Sequence, residues 1–284
     1  MAVDAALFVM ALFWAANMVV LKWLLQHVPA PALSSLRFLL VSLLGFAVLL
    51  AWGGPYKVER RDLWKLLGAA FFGCTLYQML FIEGLDRTTA FVSNLMQGTE
   101  PLFALLLLRL VGRPVLGRQW LGVLVAFLGA VLFFLQEVRG GIEIAFGFGD
   151  ALNLTSAASF AVYGLLSGAL FERYPGRTVM ALSMGLGVLP LLVWSWPDLV
   201  SMDWGAVSAA VWAGLGFSAL VPVYVGYWIW NWAVTRKGLA HASLYIFVDI
   251  ILTGIFAWAF LGERFGGLRL FGALIILTGV KLAR

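Results

Sequence analysis

The chain has one cysteine, two histidines and few charges, and each scarcity excludes something. A lone Cys74 rules out an internal disulfide framework and a cysteine-rich metal site; in its apolar run it reads as a small packing residue. With only His27 and His241 there is no His-Glu-x-x-His pair, and no Gly-x-Ser-x-Gly elbow occurs, so an intramembrane enzyme finds no support. No glycine-rich phosphate loop is present, so ATP is not the direct energy source, and no cofactor motif is found. No repeated charged ring or filter-like segment suggests a channel. Charged residues make up 12% of the chain, against roughly 25% in a soluble domain.

What is abundant is apolar: 63% of residues are hydrophobic and the mean hydropathy is +0.97. That much apolar surface cannot be hidden inside one water-soluble globule, so the solvent is lipid. Lipid satisfies no backbone N–H or C=O, which leaves helix bundles and closed barrels. The apolar runs are continuous over about 20 residues rather than alternating over about 10, and this favours helices. The basic residues, despite a pI near 9.6, are scattered over short loops and form no nucleic-acid patch. Residues 3–25 carry an early Asp4 and a late Lys22, the reverse of a signal peptide, and read as a retained first span.

Apolar windows between stop signals predict ten helices, over 3–26, 31–52, 63–84, 88–111, 117–136, 148–171, 177–196, 205–234, 238–261 and 266–283. The stops are Val28-Pro29-Ala30-Pro31, Gly53-Gly54-Pro55, Gly112-Arg113-Pro114, Gly140-Gly141, Tyr174-Pro175-Gly176 and Trp196-Pro197-Asp198. With the N-terminus in the cytoplasm, thirteen Lys and Arg fall on that side (Lys57, Arg60, Arg61, Lys65, Arg109, Arg113, Arg118, Arg173, Arg177, Arg236, Lys237, Lys281, Arg284). Four fall opposite: Arg87, Arg139, Arg264 and Arg269. The asymmetry predicts that both termini are cytoplasmic.

The chain also repeats itself at an offset of 150 residues, with 85–122 lying on 235–272 without a gap. Tyr77 falls on Tyr227, Ser93 on Ser243, Gly112 on Gly262 and Gly122 on Gly272. Five helices per half is an odd number, so the second half enters the membrane from the other side. The expected units are therefore 1–140 and an inverted 141–284, an arrangement found in alternating-access transporters.

Intramembrane polar groups are costly and face a cavity or a partner. Thr89, Ser93, Gln97 and Glu100 share one face of the fourth helix; His241, Tyr245, Asp249 and Thr253 share one face of the ninth. Two readings stand: pathway lining, or hydrogen-bond glue between helices. Pro101 frees the carbonyl of Gln97 and marks either a helix break near Glu100 or a kink. Glu100 and Asp249, with His241 nearer the cytoplasmic end, are candidates for proton coupling or for meeting a substrate amine. Mid-span aromatics suggest a substrate cavity: Trp14 with Asn17 one turn on, Tyr77 and Phe81, Phe160 and Tyr163, and Tyr224, Tyr227 and Trp228. Trp52, Trp64, Trp194, Trp196, Trp204 and Trp258 read as interface or lipid contacts. Lys22 and Arg37 are placed off-centre, near the outer surface, which favours a zwitterionic or neutral substrate over an anion.

Several fragments carry a family resemblance over essentially the whole chain. They are Phe13-Trp14-Ala15-Ala16-Asn17, Pro31 through Arg37-Phe38, Thr88-Thr89-Ala90-Phe91-Val92-Ser93 into Glu100-Pro101, and Phe260-Leu261-Gly262-Glu263-Arg264 followed by Gly272. In order and spacing they resemble the drug/metabolite transporter superfamily, in its ten-helix EamA-type branch, and most of all bacterial exporters of amino acids, aromatic ones especially. The resemblance implies an all-α, multi-pass protein of the bacterial inner membrane that exports small molecules. A multidrug, nucleoside or sugar-nucleotide exporter of the same superfamily is the alternative. Two departures bear on a symmetric carboxylate pair: Ile250-Ile251 stands where the first half has Glu100-Pro101, and Gly112-Arg113 where the family shows Gly-Glu.

Overall fold

A computed structural model describes residues 1–53, 57–139, 147–261 and 266–284. Three sequence features lie outside the described residues: the Gly140-Gly141 stop, Gly54-Pro55, and the Gly262-Glu263-Arg264 motif. All regular structure among the described residues is helical. Ten helical spans follow one another: α1 Ala2–Leu24, α2 Ala30–Trp52, α3 Arg60–Arg87, α4 Ala90–Leu110, α5 Gly117–Arg139, α6 Phe148–Phe171, α7 Gly176–Ser201, α8 Ala209–Lys237, α9 Leu239–Leu261 and α10 Gly267–Ala283. Among the described residues, nine have the length and apolar character to cross a bilayer, and α10, with 17 residues, is the shortest.

The ends of these helices follow from short polar residues and proline. Thr89 Oγ1 accepts from the Val92 N–H at 3.1 Å and caps α4, and Ser208 does the same for Val211 at 3.4 Å before α8. Gly112 takes φ +75° just after α4, a conformation that L side chains rarely adopt. Two expected boundaries move. The Trp196-Pro197-Asp198 stop does not end α7, which runs on to Ser201 with Pro197 inside its last turns. The eighth span starts at Ala209, because Trp204–Ala206 forms a separate 3₁₀ turn.

Two spans depart from α geometry at matching positions. In α3, Phe71–Leu76 is π-helical; in α8, Ala219–Val225 is π-helical and includes Pro222. A π turn holds one more residue per hydrogen-bonded ring than an α turn, and such turns gather at functional sites. The fourth span is also interrupted. Gly98 and Thr99 form a two-residue turn between helical segments Ala90–Gln97 and Glu100–Leu110, with Pro101 in the first turn of the second. Both turn residues keep right-handed backbone angles, so the ladder breaks while the chain direction is kept.

The principal packing pairs are α5 with α10, α3 with α6, α2 with α7, α4 with α6, α1 with α8, α3 with α7, α1 with α9, α4 with α9 and α2 with α8. This set is unchanged when α1–α5 are exchanged with α6–α10. The α5–α10 pair has the closest approach: a Cβ built on Gly279 would lie 2.3 Å from the backbone nitrogen of Ala126 and 2.5 Å from the Gly122 carbonyl oxygen. Small residues let the two backbones meet where lipid supplies no hydrophobic drive for association. Loops at one end also touch. Asp62 is bonded by Lys65 at 2.9 Å, by the Tyr174 hydroxyl at 2.8 Å and by Arg173. Gly279→Val overpacks the α5–α10 seam and is expected to cost about 1–3 kcal/mol, read as a lower unfolding temperature of the detergent-solubilised protein.

Candidate functional site

At mid-bundle, α1, α2, α3, α4, α6, α8 and α9 surround a cavity of about 60 Å³. It is smaller than the ~150 Å³ void that holds a benzene ring in an engineered core, so the bundle is contracted around it. Its wall combines the aromatic residues Trp14, Tyr77, Phe81, Phe160 and Tyr227 with the polar residues Asn17, Arg37, Gln78, Asn94, Gln97 and Asp249. The aromatic rings form one continuous set. Phe160 sits 5.8 Å from Trp14, 4.8 Å from Tyr77 and 5.8 Å from Tyr227, and Tyr77 stacks on Phe81 at 5.6 Å.

The π turns hold this wall in place. Trp14 Nε1 donates to the Pro222 carbonyl at 2.9 Å, and the Tyr227 hydroxyl donates to the Gly73 carbonyl at 3.0 Å. In each case a carbonyl within one π segment receives a cavity aromatic from a distant helix. Buried tryptophan and tyrosine need such partners for their polar tips.

The sequence-selected residues divide into three groups. Trp14, Asn17, Tyr77, Phe81, Gln97 and Asp249 line the cavity. Asn17 Oδ1 accepts from Ser218 at 2.5 Å, and Gln97 Nε2 donates to Ser156 at 2.6 Å. The second group serves as interhelical glue. Ser93 donates to Asn153 at 2.9 Å, and Thr253 accepts from Asn94 at 2.8 Å. Tyr163 lies behind the wall and accepts from Asn231 at 2.6 Å. Glu100 is fully buried, accepts from Ser243 at 3.0 Å and does not reach the cavity, so the carboxylate stripe of α4 is only partly a pathway stripe. Thr89, exposed, is a cap.

The third group is elsewhere. His241 and Tyr245 join Asp4 at 2.8 and 3.0 Å, and Arg284 reaches both Tyr245 and Asp4, so these residues tie the two chain ends to the start of α9. Tyr224 and Trp228 line an outer groove with Val48 and Trp52 of α2 and Arg177 of α7, apart from the central cavity. Trp228 is 40% exposed. The tryptophans assigned to lipid divide as well: Trp52, Trp64, Trp196 and Trp258 are exposed, whereas Trp194 packs against the core.

Arg37 is the main correction. Its position on α2 suggested a site near the outer surface, yet its side chain is 1% exposed and lines the central cavity. Gln78, Asn94 and Ile246 were also missed. Gln78 directly follows Tyr77, and a polar side chain beside a selected aromatic was the available signal. A larger cleft of 520 Å³, lined by Lys65, Arg113 and Glu172 among others, opens at the rim of the bundle between α3, α4, α6 and α9.

The profile of the EamA-like transporter family matches residues 1–135 and 147–283, one match in each half. The chain belongs to that family. It is therefore a multi-pass membrane transporter. Among its EamA-type relatives, a protein of Streptantibioticus cattleyicolor named as a probable terminal-alkyne amino-acid exporter is 30% identical, over 81% of this chain and 76% of that one. A protein of Salmonella typhimurium named as a probable amino-acid metabolite efflux pump is 27% identical, over 95% and 90%. An uncharacterized transporter of Archaeoglobus fulgidus is 26% identical, over 95% and 93%. A solved crystal structure shares the fold, with a TM-score of 0.76 at 18% identity, covering 99% of this chain and 96% of that one. Tyr227→Phe leaves the Gly73 carbonyl without its hydroxyl donor and is expected to cost about 1 kcal/mol. Thermal unfolding of the variant beside the parent protein measures it.

Proposed function

We propose that this transporter exports amino acids with apolar or aromatic side chains across the bacterial inner membrane, by alternating access between two inverted five-helix halves. The observation that carries the reading is the central cavity, where an aromatic wall meets a few convergent polar groups at mid-span. Such a lining suits a small molecule with one apolar end and one charged or polar end. The relatives named for amino-acid export support the substrate class and the direction.

Support for the inverted halves comes from packing. The helix pairs map onto themselves when the halves are exchanged, and the two π segments fall at matching positions. Support for the charge-derived orientation comes from the loops. Arg173, counted on the cytoplasmic side, bonds Asp62, which follows the likewise counted Arg61, and Lys22, placed near the outer surface, donates at 3.4 Å to the backbone carbonyl of Asp86, beside Arg87. Alternating access over this scaffold requires the cavity to swell and then open to each face in turn. Glu100, which accepts a hydrogen bond from Ser243 of α9, is the group we propose for coupling a proton to that motion.

Purified protein in liposomes is expected to give saturable flux of radiolabelled phenylalanine or leucine; no flux of any amino acid would sink the reading. Tyr77→Ala and Phe81→Ala remove parts of the aromatic wall and are expected to lower phenylalanine transport roughly tenfold while changing alanine transport little. Orientation is checked with single cysteines in a Cys74→Ala background. Lys57→Cys, in the loop after α2, should react with an impermeant reagent only from the cytoplasm, and Asp203→Cys, in the equivalent loop after α7, only from outside. Reaction of both from the same side removes the inverted arrangement.

A further inference from the structure

Two oppositely charged side chains in the central cavity present atoms for which the chain supplies no partner. Arg37 enters from α2, and its Nε and Nη1 are buried without a hydrogen-bond acceptor. Asp249 enters from α9, is 5% exposed, and its Oδ1 is buried without a donor. A guanidinium has five N–H donors in a planar fork that fits a carboxylate, and a carboxylate only accepts. Burying such groups unsatisfied is costly, and removing water from a charge is costlier still. Of the neighbouring polar groups in the same wall, Gln97 bonds Ser156, Asn94 bonds Thr253 and Asn17 bonds Ser218, while Gln78, which is neutral, leaves only its Oε1 unanswered. Arg37 and Asp249 have not paired with each other through these atoms, although both face one small space.

We infer that Arg37 and Asp249 are the specificity-determining clamp of this cavity, Arg37 holding the α-carboxylate and Asp249 the α-ammonium of a zwitterionic amino acid, with the side chain against Trp14, Phe81 and Phe160. The inference rests on the amino-acid reading above and adds to it which groups are read. A ligand with only a positive charge meets Arg37 as a repulsive element, and one with only a negative charge meets Asp249; discrimination thus comes from both attraction and repulsion. The clamp also crosses the molecule. Arg37 lies in the first half and Asp249 in the second, so only a doubly charged ligand grips both. That distinguishes amino acids from the amines and acids that share their side chains.

The test is ligand-dependent thermal unfolding of the purified full-length protein at neutral pH. The probes are the twenty amino acids, then L-phenylalanine against its methyl ester, phenethylamine and 3-phenylpropionate, with L-leucine against its methyl ester as a second series. Zwitterions are expected to bind at least about tenfold more tightly than each analogue that lacks one charge. Arg37→Gln should remove most of the difference between phenylalanine and its ester. Asp249→Asn should remove most of the difference between phenylalanine and 3-phenylpropionate. Both unliganded variants should unfold at or above the parent temperature, because a buried unpaired charge has been neutralised; a merely structural salt-bridge role would lower it. Arg37→Lys and Asp249→Glu keep the charge and should keep most of the discrimination if the neutral variants fail to fold. The parent analogue series needs no variant at all. Equal stabilisation by phenylalanine and its ester, or stabilisation by none of the amino acids, overturns the clamp. Liposome flux separates the two readings: amino-acid flux without charge discrimination removes the clamp and keeps the transporter, and discriminating binding without flux does the reverse.

Discussion

Hydrocarbon offers no hydrogen-bond partner, and the arrangement of this protein follows from that. Every polar group inside the bilayer must find its complement within the chain or remain costly. Backbones comply by coiling, and side chains comply by reaching across helix boundaries, as Ser93 does to Asn153 and Asn94 to Thr253. The bundle is thereby stitched by short polar residues as well as by apolar packing. Against this background, a guanidinium and a carboxylate with unanswered atoms in one cavity mark where the chain leaves room for something else.

The same rule explains why polar spacing alone could not separate glue from pathway. Thr89, Ser93, Gln97 and Glu100 share a helical face, yet one caps the helix, one bonds to α6, one lines the cavity and one is sealed against α9. Helical periodicity gives a direction around one axis. It does not tell what stands opposite, which depends on how seven helices converge. Aromatic residues were more informative when they faced the bundle axis, as with Trp14, Tyr77 and Phe81, and misleading when they lined the groove beside α2 and α7, as with Tyr224 and Trp228.

The spans themselves were legible because apolar length and proline or glycine stops are written locally. Failures came where local signals are permissive. Pro197 removes one backbone donor, yet α7 continues through it to Ser201. Arg37 was misplaced because depth was judged from the Cα position, whereas a long side chain carries its charge well away from its own turn. The π segments have no compositional signature: Phe71–Leu76 and Ala219–Val225 read as ordinary apolar helix. They arise from tertiary demands, with the Gly73 and Pro222 carbonyls drawn to Tyr227 and Trp14.

Those two π segments have a mechanical corollary. Each stores one residue of slack in a helix that otherwise advances about 100° per residue. Slack of that kind can travel along a helix one position at a time, exchanging hydrogen bonds without exposing them. As it passes, the side chains it crosses turn through about one residue's rotation while both ends of the helix stay docked. In α3 the slack ends at Leu76, next to Tyr77, and in α8 it ends at Val225, with Gly226 between it and Tyr227. A one-position shift of the slack would therefore rotate a tyrosine that lines the central cavity without unravelling a span in lipid.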